Sequence, residues 1–275
     1  MHIQFYGVRG SIPAPGQQSV RYGGNTACVL VRNDAGEQLI LDAGTGIRQL
    51  GTELLTDPRP ITLLLSHNHW DHIQGFPFFR PAYQRDREIH IFPGLTTPHE
   101  PYAILNQLKG SVFPVPATAL AARIQIENTP TSHAWILQGF HIQRCPLNHP
   151  GGGSAYLIEA DGQRFAYVTD NELNPPNTPV TSFEKWCEFV HGVDLLLHDA
   201  QYVPRDMPMK HGWGHSLVSE AVALAQAAAV KHLVLFSYDP ERSDDELDAI
   251  AAGLATQALP FPVSFAREGM CLSCA

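Results

Sequence analysis

The run His67-Asn68-His69-Trp70-Asp71-His72 packs three imidazoles and a carboxylate into six residues. It follows directly on Ile61-Thr62-Leu63-Leu64-Leu65-Ser66, a continuous apolar run of the kind that forms a strand buried on both faces. In an extended loop His67 and His69 point the same way, and Asp71 and His72 then turn back toward the same point. Imidazole and carboxylate donors together suit one or two Zn²⁺ ions, and also Mn²⁺ or Fe. The rival interpretation of the run is a solvated polar turn. One loop rarely completes a two-metal site, so further donors must come from elsewhere. His149 follows a predicted strand at 139–147, Asp170 ends 163–169, His198 and Asp199 end 193–198, and Asp42 ends 37–42. Ionisable residues at repeated strand ends point to one shared sheet edge, where α/β folds place their sites. Taken singly, His149 could equally be a turn residue before Pro150, and Asp170 a helix cap or turn residue.

The H-x-H-x-D-H run, with Asp42, His149 and Asp170, resembles the metallo-β-lactamase superfamily. Gly7-Val8-Arg9-Gly10-Ser11-Ile12-Pro13, Tyr22-Gly23-Gly24-Asn25-Thr26, His198-Asp199-Ala200-Gln201-Tyr202 and Gly212-Trp213-Gly214-His215-Ser216 are similar to its phosphodiesterase branch. That branch holds RNase Z-like nucleases, the phosphodiesterase of the carbon-phosphorus lyase pathway and proteins described as cyclic-nucleotide phosphodiesterases. The resemblance spans nearly the whole chain. It implies an α/β fold, a four-layered αββα sandwich in a single domain over 1–275, and a homodimer. It implies that His67, His69 and His149 hold a first metal, that Asp71 and His72 hold a second, and that Asp170 bridges. Asp42 would support the ligand loop from behind. Asp71 could orient the attacking water or accept its proton. His215 is similar to the branch's phosphate-facing histidine, oriented by Asp199. A carboxylate behind an imidazole fixes its tautomer and raises its basicity, which suits proton donation to a leaving oxygen. The plain alternative for His215 is a helix-start residue before Ser216.

One position departs from the pattern. Where the branch carries Leu-Phe-His-His-Asp-Pro, this chain has Leu235-Phe236-Ser237-Tyr238-Asp239-Pro240. Ser237 thus stands where an imidazole ligand is expected. Three outcomes follow: the second metal persists on Asp71, His72, Asp170 and water; His215 moves in to replace the imidazole; or the site holds one metal and is slow.

The elements that must position these groups are mostly short strands, followed by strands alternating with helices. A first strand is predicted at 2–8, and a hairpin at 26–32 and 37–42 around Asp34-Ala35-Gly36. A helix follows near 47–55, then strands at 61–66 and 88–92. Residues 94–130 are irregular and proline-rich, with a short helix near 101–109, and form either a lid or a surface insertion. Strands at 139–147 and 154–159 precede one at 163–169, which pairs back through Asp161-Gly162. Helices at 182–191 and 216–229 alternate with strands at 193–198 and 232–237. Ser243 and Glu246 make a capping box for a last helix at 243–257, before a strand at 262–266.

Composition sets the outer bounds. With 275 residues, 44% of them hydrophobic, the chain can bury a sizeable core. The formal charge is -9 and no dense Lys or Arg run is present, so a long nucleic acid is a poor partner. A small anionic phosphodiester remains compatible, because a bound metal brings its own positive charge. Neither a basic-then-apolar N-terminal segment nor an apolar run near 20 residues is seen, so the expectation is a cytoplasmic protein without a membrane span. The five cysteines, unpatterned, argue against a disulfide framework. Cys271 and Cys274 form a terminal C-x-x-C, read here as a frayed tail rather than a metal or redox pair. His2, His90, His99, His133, His141, His191, His211 and His232 are assigned structural or surface roles, with His211 the one placed to line a pocket. The reaction expected is phosphodiester hydrolysis. The rivals are lactone, thioester or β-lactam hydrolysis by the same metal-hydroxide, and a metal-poor protein, attenuated by Ser237, that binds a nucleotide-like ligand.

Overall fold

In the segment Cys28–Arg32 alternate side chains enter different cores: Val29 and Val31 face one apolar cluster, Cys28 and Leu30 another. The same alternation separates Leu39 and Leu41 from Ile40, and Leu64 from Ile61, Leu63 and Leu65. A strand covered on both faces needs a second layer on each side, and this requirement dictates the architecture. The computed structural model describes residues 1–94, 100–128 and 133–274. Two seven-stranded sheets pack face to face, with helices outside each, giving the αββα sandwich.

The first sheet contains β1 (His2–Gly7), β2 (Cys28–Arg32), β3 (Gln38–Leu41), β4 (Ile61–Leu64), β5 (Glu88–Phe92) and β6 (Arg123–Ile126) side by side. The second runs in chain order from its edge: β7 (Ala134–Leu137), β8 (Phe140–Pro146), β9 (Ser154–Ala160), β10 (Gln163–Val168), β11 (Leu195–Asp199), β12 (Leu233–Phe236) and β13 (Val263–Phe265). A final strand, β14 (Cys271–Ser273), returns to pair antiparallel with β1. In each sheet, antiparallel hairpins give way to parallel strands: β3 to β6 in the first, β10 to β13 in the second. Parallel neighbours align their carboxyl ends, so Asp42, His67, Asp170, Asp199 and Ser237 all emerge along one edge of the sandwich.

The outer face of the first sheet is covered by α1 (Ile47–Glu53), through Ile47 and Leu50, and by α3 (Ala103–Asn106), through Ile104. Between them α2 (Trp70–Ile73) makes a single turn within the histidine run. The second sheet is covered by α4 (Phe183–Phe189), α5 (Val218–Ala227) and α6 (Asp244–Ala255), through Trp186, Leu224 and Leu247. The capping box of α6 forms as its sequence predicts, with Ser243 Oγ accepting from Glu246 N at 3.3 Å and Glu246 Oε2 accepting from Ser243 N at 3.0 Å.

Three expectations need correction. The C-terminal segment is not frayed: β14 registers Cys271, Leu272 and Ser273 against Gln4, Ile3 and His2, and Cys274 is buried. Both thiols are free, Cys271 exposed and Cys274 buried. The helix expected near 101–109 shrinks to four residues. The end of the 94–130 stretch is neither lid nor insertion but β6, an edge strand parallel to β5. Positions 95–99 and 129–130 of that stretch, with His99, lie outside the described residues. β6 and β7 carry an exposed and half-buried alternation too short to stand out beside prolines. No helix among the described residues is long and apolar enough to cross a membrane.

Deleting 271–275 should therefore destabilise the fold rather than trim a tail, lowering Tm by at least about 4 °C in differential scanning calorimetry. An unchanged Tm would show that β14 contributes nothing.

Candidate metal centre

Asp42 follows β3 with its carboxylate fully buried. Its Oδ1 accepts from Ser66 N at 2.7 Å. Its Oδ2 accepts from Ser66 Oγ at 2.7 Å, from Tyr167 OH at 2.7 Å and from His72 Nδ1 at 2.8 Å. Because Ser66 Oγ donates to Asp42, it accepts from His67 Nδ1, 3.0 Å away. Each imidazole therefore carries a proton on Nδ1 and turns its Nε2 outward. His149 is set the same way, its Nδ1 donating to the Gly214 carbonyl at 2.9 Å. Gly214 has φ 90°, and a Cβ there would strike the His149 ring.

These Nε2 atoms meet at Asp170. Its Oδ2 lies 3.1 Å from His72 Nε2, 3.7 Å from His67 Nε2 and 3.9 Å from His149 Nε2. His149 Nε2 is 2.9 Å from His69 Nδ1, and Asp71 Oδ2 is 3.3 Å from His72 Nε2. Three overlapping sets hold their donor atoms within 4.8 Å: His67 with His69 and His149; His67 with His72 and Asp170; His149 with Asp170 and His215. Burial pushes the His149 imidazole down to about 4 and His67 well below its usual range, so both rings are neutral bases. His67 Nε2 is buried with no hydrogen-bond partner among the described residues. An orphaned imidazole nitrogen facing a carboxylate and other imidazoles is a donor set that fits a divalent cation.

His215 stands beside this cluster, its ring centroid 5.3 Å from that of His149. Its Nδ1 donates to Asp199 Oδ2 at 3.1 Å, which leaves Nε2 to act. Burial opposes a proton on His215, yet Asp199 and Asp170 outweigh it and hold the imidazole above its ordinary range. Ser237 Oγ donates to Asp170 Oδ1 at 3.2 Å.

The structure thus brings together His67, His69, Asp71, His72, His149, Asp170, His215, Asp199, Ser237 and Asp42. His198 does not join them: its Nδ1 meets the Asp199 carbonyl at 2.6 Å, and burial pushes its imidazole down to about 4. His211 lines a cavity of about 250 Å³ with His215 and Glu172. Sequence reasoning missed Ser66 and Tyr167, which donate to Asp42 and so help to orient His67 and His72. It also missed Glu172, whose carboxylate accepts from Gly212 N at 2.8 Å and Gly214 N at 2.9 Å. The backbone N of Glu172 in turn donates to the Asn148 carbonyl at 3.0 Å. Hydroxyls and carboxylates that act through another residue carry no spacing signal of their own.

Residues 37–238 match the family model described as the beta-lactamase superfamily domain. The chain belongs to that superfamily. Ribonuclease Z of Ignicoccus hospitalis is 24% identical over 271 residues, covering 84% of this chain and 86% of that protein. The metallo-beta-lactamase fold protein YhfI from Bacillus subtilis superposes with a TM-score of 0.70 at 18% identity, over 99% of both chains. A diphosphatase from the PhnP family superposes with a TM-score of 0.67 at 18% identity, over 99% of this chain and 97% of that one.

Asp42→Asn keeps the shape of the side chain and removes the charge that its donors share. It should weaken metal binding by about 10–100-fold, measured by competition with a chromogenic chelator, while the far-UV circular dichroism is kept.

Proposed function

We propose that this chain is a metal-dependent phosphodiesterase that hydrolyses a small or cyclic phosphodiester. The observation that carries the reading is the Asp199–His215 pair standing beside a cluster of imidazoles and carboxylates. His67, His69 and His149 with Asp170 would hold one cation, and Asp71 and His72 with Asp170 a second. Zn²⁺ suits this donor set, and Mn²⁺ or Fe are alternatives. Cations held there would supply Lewis acidity and a source of hydroxide near neutral pH.

The chain's own residues do the rest. Ser11 N donates to Asp71 Oδ2 at 2.7 Å, so that carboxylate is fixed where it can orient water or take its proton. Asp199 holds the His215 ring by Nδ1 and presents Nε2 to the leaving oxygen, which accepts the proton as the P–O bond breaks. An acyl substrate needs no imidazole facing a phosphate, which favours phosphodiesters over lactones and thioesters. The ribonuclease name of one relative and the diphosphatase name of another both support phosphorus–oxygen chemistry. A formal charge of -9 supports a small substrate over a long polymer.

Protein supplied with Mn²⁺ or Zn²⁺ should release p-nitrophenolate from bis(p-nitrophenyl) phosphate, and His67→Ala should abolish this. Undiminished turnover in His67→Ala would sink the reading. His215→Ala should lower kcat by about 10²–10⁴-fold on an alkyl phosphodiester, with metal content unchanged. On the nitrophenyl ester the loss should be smaller, because that leaving group departs without a proton.

A further inference from the structure

His215 lines a cavity of about 250 Å³, the room of roughly eight waters. The residue is buried, its Nδ1 is held by Asp199, and its Nε2 has no hydrogen-bond partner among the described residues. On the proposed reading the proton departs from this imidazole, so the cavity is placed to receive the group that takes it. The lining has one-sided chemistry. Glu172 and Glu220 bring two carboxylates, Met207, Pro208 and Leu217 an apolar surface, and among the described residues no Lys or Arg lines it. Both carboxylates are fixed. Glu172 accepts from Gly212 N and Gly214 N, and Glu220 accepts from Asn174 Nδ2 at 2.7 Å and from Leu217 N at 2.9 Å. Each thus uses two of about four acceptor positions, and lone pairs remain for a further donor. The basic side chains nearest in sequence, Arg205 and Lys210, are paired with Glu246 and Asp239. The other imidazole on the wall, His211, donates from Nε2 to the Asn174 carbonyl at 2.9 Å.

We propose that this cavity is the leaving-group subsite, and that the alcohol it receives carries an ammonium group. The proposal rests on the phosphodiesterase reading above and narrows it to an acyclic diester of an amino alcohol. Two carboxylates beside apolar walls attract a cation and repel an alcohol that bears a second phosphate, so the lining selects by repulsion as well as attraction. The two ends of the alcohol are told apart by the cavity itself. The hydroxyl oxygen belongs at His215 and the ammonium group at Glu220 and Glu172, with its carbon substituents against Met207 and Leu217. Hydrolysis then runs in balance. The water oxygen bonds to phosphorus and its proton goes to Asp71. The P–O bond to the amino alcohol breaks with its electron pair on oxygen, and that oxygen takes the His215 proton. The products are a phosphomonoester and a free amino alcohol.

The test compares two methyl phosphodiesters of the same shape, one of choline and one of 3,3-dimethylbutanol, its uncharged carbon isostere. Methyl phosphate release is followed by phosphorus NMR, with the protein supplied with Mn²⁺ or Zn²⁺. The choline ester should have a kcat/KM at least about tenfold higher than the isostere. Glu220→Gln should cut that ratio by at least about threefold, and Met207→Lys, which adds a cation to the wall without removing a hydrogen bond, should bring it to one or below. Because the ratio is taken within each protein, a general loss of activity or of folded protein cancels. A ratio near one in the unaltered protein, or a high ratio that neither variant moves, overturns the proposal. So does turnover of bis(p-nitrophenyl) phosphate with neither alkyl ester cleaved, and in each of these cases the phosphodiesterase reading stands. Failure to cleave any of the three diesters overturns both.

Discussion

A fully buried carboxylate must be surrounded by donors, and satisfying Asp42 organises much of this molecule. Its donors belong to the loop after β4, to the single turn of α2 and, through Tyr167, to the opposite sheet. One carboxylate therefore joins the two layers of the sandwich and orients two histidine rings. The relation runs both ways. The apolar packing that desolvates Asp42 makes its hydrogen bonds strong, and those bonds hold the histidine loop against the strand ends.

The strand ends themselves are not relaxed. Asp42, Asp170 and Ser237 have φ of 59°, 47° and 58°, in the left-handed region that side chains other than glycine avoid. Each such residue costs of order 1–3 kcal/mol, which the surrounding sheets must offset. In each case the abrupt turn swings a polar side chain out of the strand direction toward the shared edge. Residues at these positions could not reach one another if the strands simply continued.

Most of this was legible in the sequence where burial or donor chemistry repeats at short spacing. The histidine run, the two-sided strand around Leu63, the Asp161-Gly162 hairpin and the α6 capping box were all readable, because each leaves a local pattern. The rest depends on distant partners. Ser66, Tyr167 and Glu172 act only through side chains or loops remote in the chain, and nothing in their neighbours announces it. β6 and β7 lie at sheet edges, where half the side chains face water and the apolar signal fades. β14 is too short for periodicity, and only its pairing with β1 and the burial of Cys274 make it a strand. His198 and His215 illustrate the same limit from the other side. Both adjoin Asp199 in space or in sequence, yet only the three-dimensional path of the chain turns one toward the carboxylates and the other away.

Glu172 carries a further consequence. Its carboxylate grips the turn before His215, while its backbone is tied to the residue before His149. Three crossing segments are thereby tied into one rim, and the His215 imidazole rides on it. On the proposed reading, the hydrogen-bonded rim would sort substrates on this side by size, by exclusion at the doorway.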